Sequence, residues 1–245
     1  MHTAIDNADL RKKDTLSHEP PSIGIHHDHV QVSSSHPTGS NPYIKRAYEQ
    51  TTVQGTRTLY DEWANQYDED LAAEEYAAPA LAVQAVLNVI GLGNIRTASF
   101  LDAGCGTGLV GKVLAKHGAS IIDGVDLSPG MLGMARRTGV YRSLEEADLS
   151  KPLEHQDESY DVVICVGTLT RAHVGPEVLS EFARVVRKDG LVVATVLADI
   201  WESGGYKAEV DQLVESTKVK VMHLETIGYR ISSNVGGLLF VIKRL

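Results

Sequence analysis

Three glycines alternate with single residues in Phe100-Leu101-Asp102-Ala103-Gly104-Cys105-Gly106-Thr107-Gly108, between an apolar run and a helix-like stretch. This run constrains the fold more than any other. Glycine lets a backbone turn sharply and approach a ligand with no Cβ in the way. A helix that follows presents free N–H groups to an anion. The run therefore reads as a strand, a tight turn and a helix N-terminus, with a ligand close to the turn.

The surrounding chain alternates in the same manner. Apolar runs at 98–103, 119–125, 160–166 and 190–197 suit buried parallel strands, with helix-like stretches at about 108–117, 128–137 and 176–187 between them. Ser128-Pro129 reads as a helix start, with Ser as N-cap and Pro at the first position. Lys188-Asp189-Gly190 reads as a helix end. A helix at 205–217 follows, then two apolar runs, 219–227 and 236–243, joined through Ser232-Ser233-Asn234. So short a connection requires an antiparallel pair. The expected fold is α/β: a doubly wound, mainly parallel sheet with a C-terminal antiparallel hairpin.

Charge divides the chain further. The net charge is −9, and with no basic patch a phosphate backbone is a poor partner. Residues 58–95 hold seven acids and no Lys or Arg, and are expected within a helical lid over 43–97. Residues 1–42 have no Phe, Trp or Tyr but six of the ten histidines, and are expected to be a disordered polar tail. His26-His27-Asp28-His29 reads as solvated rather than as a metal site. No apolar run approaches the length of a membrane helix, and the first residues lack a signal-peptide pattern. Cys105 and Cys165 make no disulfide framework. A cytoplasmic protein with no membrane or nucleic-acid partner is expected.

The ligand site is expected at the strand ends. About 20 residues after the glycines, Ile121-Ile122-Asp123-Gly124-Val125 ends in Asp126, whose carboxylate can accept from both ribose hydroxyls. In Ala147-Asp148-Leu149, Asp148 can accept from an adenine amino group while the Leu149 N–H donates to the ring. Gly106-Thr107-Gly108-Leu109-Val110-Gly111 also fits the G-x-G-x-x-G of NAD sites, a weak match alone.

The wider run Asp102-x-Gly104-x-Gly106-x-Gly108, with Asp126, Asp148-Leu149 and the terminal hairpin in order, resembles the class I S-adenosylmethionine-dependent methyltransferases over residues 98–245. Tyr60–Asp68, Asp123–Leu132, Val166-Gly167-Thr168-Leu169-Thr170 and His173-Val174-Gly175-Pro176 resemble the small Williams–Beuren-region methyltransferase-like group. The resemblance implies a seven-stranded Rossmann-like sheet with S-adenosyl-L-methionine as cofactor. It implies that Gly104, Gly106 and Gly108, with Cys105 and Thr107 between them, pass the methionine part and that Asp102 orders the loop and the cofactor amine. Asp126, with Leu127 and Met131, would hold the ribose side. Asp148 and Leu149 would read adenine, and Cys165 and Val166 would line the pocket. Tyr60 and Tyr67, seven apart and hence on one face of a helix, would cover the sulfonium.

Methyl transfer asks the protein for position, desolvation and sometimes a base. In the loop after strand 160–166, His173 suits a general base near neutral pH. Cys165 has no partner in sequence to activate it. The loop lacks the Asn/Asp-Pro-Pro-Tyr run of amide and exocyclic-amine methylases and the glutamate pair of arginine methyltransferases, and only Asp161 is near enough to suggest a metal. The expected reaction is transfer to an O, N or S nucleophile of a small organic acceptor, of the kind made in secondary metabolism, with no metal. Two alternatives stay open: a cyclisation or elimination on the same fold, and a non-catalytic cofactor-binding regulator.

Overall fold

The computed structural model describes residues 41–171 and 174–245. Seven strands form one sheet: β1 (Ser99–Ala103), β2 (Ile121–Asp126), β3 (Ser143–Glu146), β4 (Tyr160–Leu169), β5 (Val186–Leu197), β6 (Val219–Arg230) and β7 (Val235–Arg244). Their order is β3-β2-β1-β4-β5-β7-β6. The first five are parallel, and β7 lies antiparallel between β5 and β6.

Successive side chains of a strand face opposite ways, so continuous apolar strands need cover on both faces. Leu101 and Ala103 of β1, with Val163 and Cys165 of β4, pack toward α7 (Val178–Val185) and α8 (Tyr206–Glu215). Their neighbours Phe100, Val162 and Ile164 face α4 (Ala78–Ile90) and α5 (Leu109–Lys116). On the β2–β3 side, Leu132 and Ala135 of α6 (Pro129–Thr138) close over Cys105. The Ser128 hydroxyl caps α6, accepting from Met131 N at 3.0 Å.

Two local readings change. Lys188-Asp189-Gly190 does not end a helix. α7 stops at Val185, and β5 starts at once because Val186 is buried and pairs with Tyr160. The register then slips before Leu191 meets Val162, which bulges the polar triplet outward with Asp189 at φ 65°. The edge strand β3 had no apolar run to mark it, because its four residues are half-buried or exposed.

Above the strand ends lie α1 (Pro42–Glu49), α2 (Val53–Trp63) and α3 (Tyr67–Ala73). Their centre is Trp63, packed with Ile44 and Leu71 and against the rings of Tyr43, Tyr60 and Tyr67. The Trp63 indole N–H donates to Asp70 at 2.6 Å. Among the described residues no helix is long and apolar enough to cross a membrane. The expected tail and its histidine cluster lie outside the described residues.

Candidate functional site

A cavity of about 950 Å³ opens at the carboxyl ends of β1, β2 and β4, under α2 and α3. That is where α/β sheets place ligands. The glycine turn forms its floor. Gly104 N and Cys105 N both donate to Val125 O, at 2.8 and 2.9 Å, folding the turn back against β2. Gly104 (φ 76°) and Gly106 (φ 53°) adopt the left-handed conformation that glycine tolerates. Their surroundings differ. A Cβ on Gly104 would meet Thr168 Oγ1 at 2.0 Å, whereas one on Gly106 would meet none of the described residues within 4 Å. Gly104 is packed against protein, and Gly106 faces open cavity.

Two carboxylates flank the turn, Asp102 buried and Asp126 half-buried. Asp126 Oδ2 accepts from Gly106 N at 2.8 Å and Oδ1 from Ser128 N at 2.9 Å. Burial pushes its carboxyl up to about 6, against the opposing N–H groups of Ser128, Gly106 and Leu127. Asp102 is fully buried, and Tyr141 Oη donates to its Oδ2 at 2.7 Å. Among the described residues its Oδ1 has no hydrogen-bond partner. Burial pushes this carboxyl up to about 7, countered in part by Tyr141. A buried acceptor without a donor is costly, and a ligand amine is one way to satisfy it.

Of the residues expected at the site, Tyr60, Tyr67, Gly104, Gly106, Asp126, Leu127, Met131, Asp148, Leu149 and Val166 line the cavity. Asp102, Cys105, Thr107, Gly108 and Cys165 do not line it. Cys105 packs against Leu132 and Ala135, and burial pushes its thiol up. Cys165 is fully buried between the sheet and α7, with its thiol likewise pushed up. Gly108 is the left-handed N-cap of α5. Thr107 is turned toward α3, where its hydroxyl donates to Asp68. Asp148 accepts from Ser150 N at 3.0 Å and Ser150 Oγ at 2.6 Å, within its own loop. His173 lies outside the described residues.

Tyr60 and Tyr67 do not share one helix, since α2 ends at Trp63 and α3 begins at Tyr67. The turn between the helices still brings the rings to 6.3 Å, tilted at 55°. Sequence reasoning missed Thr51, Thr52 and Thr56, which line the cavity from the start of α2. The signal was available in part: Thr52 is the N-cap of α2, accepting from Gly55 N at 3.0 Å. It also missed Tyr141, which no motif marked. Among the described residues no group of three or more His, Cys, Asp or Glu side chains could hold a metal.

Residues 101–194 match the family model described as a methyltransferase domain. The chain is 39% identical over 138 residues to the human methyltransferase-like protein 27, covering 56% of each. It is 34% identical over 88 residues to the 18S rRNA (guanine(1575)-N(7))-methyltransferase of Saccharomyces cerevisiae, covering 34% of this chain and 30% of that one. Each match thus spans little more than half, or less, of the relative's length. The magnesium protoporphyrin IX methyltransferase of Synechocystis PCC 6803, solved with S-adenosylhomocysteine bound, superposes with a TM-score of 0.55. That superposition covers 84% of this chain and 100% of that one at 18% identity, a likeness of fold. The strand order, the glycine turn and these matches make the chain similar to the class I S-adenosylmethionine-dependent methyltransferases, with a methyltransferase domain matched over residues 101–194.

Proposed function

We propose that this chain transfers a methyl group from S-adenosylmethionine to an O, N or S nucleophile of a small organic molecule. The observation that carries the reading is the cavity over Gly106, bounded by Asp126 and Asp148 and roofed by Tyr60 and Tyr67. The residues fit the cofactor. Gly106 leaves the space a methionine chain would need, and the unpartnered Oδ1 of Asp102 has an unmet demand for a donor near the turn. Asp126 would hold the ribose hydroxyls, and Leu149 with Asp148 would face adenine. When bound, the cofactor supplies an activated methyl on a sulfonium. The chain's own residues then position the partners and exclude water.

A small acceptor is favoured over nucleic acid by the roof. Helices α2 and α3 cover the cavity, and the acids of 58–95 sit within and beside them. We assign the role of general base to His173, which precedes the cavity-lining Val174 in sequence. The test is calorimetry with S-adenosylhomocysteine, followed by methyl transfer from labelled cofactor to extracted metabolites. Micromolar binding and a labelled small product are expected. Labelled RNA instead would overturn the acceptor class, and no binding would overturn the cofactor reading. For His173→Ala, turnover should fall at least tenfold at unchanged cofactor affinity, and unchanged turnover would remove the base.

A further inference from the structure

Tyr141 lies in the loop between α6 and β3, and its ring fills a slot cut by three glycines. A Cβ on Gly111 would overlap Tyr141 Cζ and Oη. One on Gly124 of β2 would meet Cε1 at 3.0 Å, and one on Gly108 would meet Cε2 at 3.1 Å. Each of these is closer than ordinary van der Waals contact. Gly108 and Gly111 are the second and third glycines of the G-x-G-x-x-G match. Neither lines the cofactor cavity. Their missing side chains make room for a tyrosine ring instead of a ligand.

The slot aims the phenol at one acceptor. Tyr141 Oη donates to Asp102 Oδ2 at 2.7 Å, beneath the glycine turn. Burial, with Asp102 beside it, pushes this phenol up, so it keeps its proton and remains a donor. The other neighbours of Asp102 do not replace it. Asp126 of β2 opposes a second negative charge. The thiols of Cys105, in the turn, and Cys165, on β4, are pushed up by burial and stay neutral. Lys112 of α5 pairs with Asp68 at 2.9 Å. Tyr141 and the backbone N–H of Gly111 are what favours the ionised carboxylate against burial.

We propose that Tyr141 is a positioning residue for the cofactor: held in its glycine slot, it occupies Oδ2 of Asp102 and leaves Oδ1 for the cofactor's ammonium group. The proposal rests on the methyltransferase reading above and assigns the residue that prepares its amine contact. A carboxylate with one oxygen fixed by a neutral donor keeps its charge and presents the other oxygen in a set direction. Without the phenol, the same buried group would hold its proton to higher pH and lose its fixed orientation.

The test compares S-adenosylhomocysteine with 5′-methylthioadenosine, which keeps the adenosine and the sulfur but has no amino-acid end. Calorimetry on the full, unmodified chain comes first. Affinity for S-adenosylhomocysteine should rise with pH between about 5.5 and 7.5, and affinity for 5′-methylthioadenosine should stay flat. Tyr141→Phe keeps the ring in its slot and removes the hydroxyl. At neutral pH this variant should bind S-adenosylhomocysteine about tenfold more weakly, with 5′-methylthioadenosine and thermal melting little changed. The rise of S-adenosylhomocysteine affinity should move to higher pH by about half a unit or more. That shift is read on S-adenosylhomocysteine alone, so it decides even where the smaller ligand binds too weakly to compare. Equal losses for both ligands, a Tyr141→Phe chain that does not fold, or an unmoved pH profile would overturn the proposal and leave Tyr141 as packing. Absence of S-adenosylhomocysteine binding by the unmodified protein would instead remove the methyltransferase reading beneath it.

Discussion

The sheet and the helices α1–α3 above it are held together by different means. Inside the sheet, apolar strands are buried on both faces, and burial of this kind contributes roughly 1.5–3 kcal/mol per large side chain. The upper helices bury a small cluster around Trp63 and fasten to the sheet domain through carboxylates. Asp61 Oδ1 accepts from Ser128 Oγ at 2.5 Å and Gly130 N at 2.8 Å, at the N-terminus of α6. Asp68 accepts from Thr107 Oγ1, beside the start of α5, and pairs with Lys112 at 2.9 Å. Both acids thus sit at the positive ends of helices. The acidity of this segment fastens a roof to helix N-termini. It is therefore weak grounds for expecting a neutral or cationic acceptor.

The largest contrast lies between two glycines of one turn. Gly104→Ala forces a Cβ against Thr168 at a positive φ, combining overpacking of about 1–3 kcal/mol with left-handed strain of about 1–2 kcal/mol. Thermal unfolding should shift down by roughly 10 °C for a domain of this size. Gly106→Ala carries only the strain, because its Cβ would enter open cavity. That variant should stay folded and lose S-adenosylhomocysteine affinity by at least tenfold in calorimetry. Equal melting losses with equal affinities would mean that the turn serves the sheet alone.

A smaller effect should separate roof from sheet. Asp61→Ala with Asp68→Ala removes charge-assisted hydrogen bonds from partly exposed positions, roughly 1–2 kcal/mol after solvent screening. Hydrogen exchange should rise about tenfold or more in α1–α3. Amides of β1 and β4 should keep their protection. Parallel loss in both would show one cooperative unit and dissolve the distinction.

Legibility follows the same division. The strands at 98–103, 119–125 and 160–166 were readable because burial on both faces leaves an unbroken apolar run. Ser128 and the hairpin turn were readable because caps and turns have local chemistry. The carboxylate at Asp126 followed from its fixed distance to the glycines along one βα unit. Tyr141, Thr56 and Arg230 were not readable. Two of them make contacts across a long sequence separation: Tyr141 meets Asp102 39 residues away, and Arg230 meets Tyr48 182 residues away. Roof contacts of this type leave no period in a sequence. The pairing of Asp61 with Ser128, 67 residues on, is set by docking rather than by local propensity.

The last expected effect is one of pH, and it tests whether Asp102 faces the cofactor. The folded pKa values of Asp102 (about 7) and Asp126 (about 6) lie above the ordinary carboxylate value of 3.8, chiefly through burial. Between these limits the folded chain holds protons that the unfolded chain releases. Their contribution to stability is therefore full below pH of about 4 and is lost as pH rises through about 7. Asp123 runs the other way. Burial works upward on it, but Arg142, Ser143 and Tyr160 hold it below its ordinary value, so its contribution is lost as pH falls. A cationic ligand that meets Asp102 favours the carboxylate and expels its proton. Affinity should then rise with pH between about 5.5 and 7.5, by up to about tenfold per unit for each proton released, and level off above. Calorimetry of S-adenosylmethionine at pH of about 6.5, in two buffers of different ionisation enthalpy, counts that proton directly. Asp102→Asn should abolish the release along with most of the slope. A flat affinity with no proton release in the unmodified protein would place the cofactor amine elsewhere and leave Asp102 as a partner of Tyr141 alone.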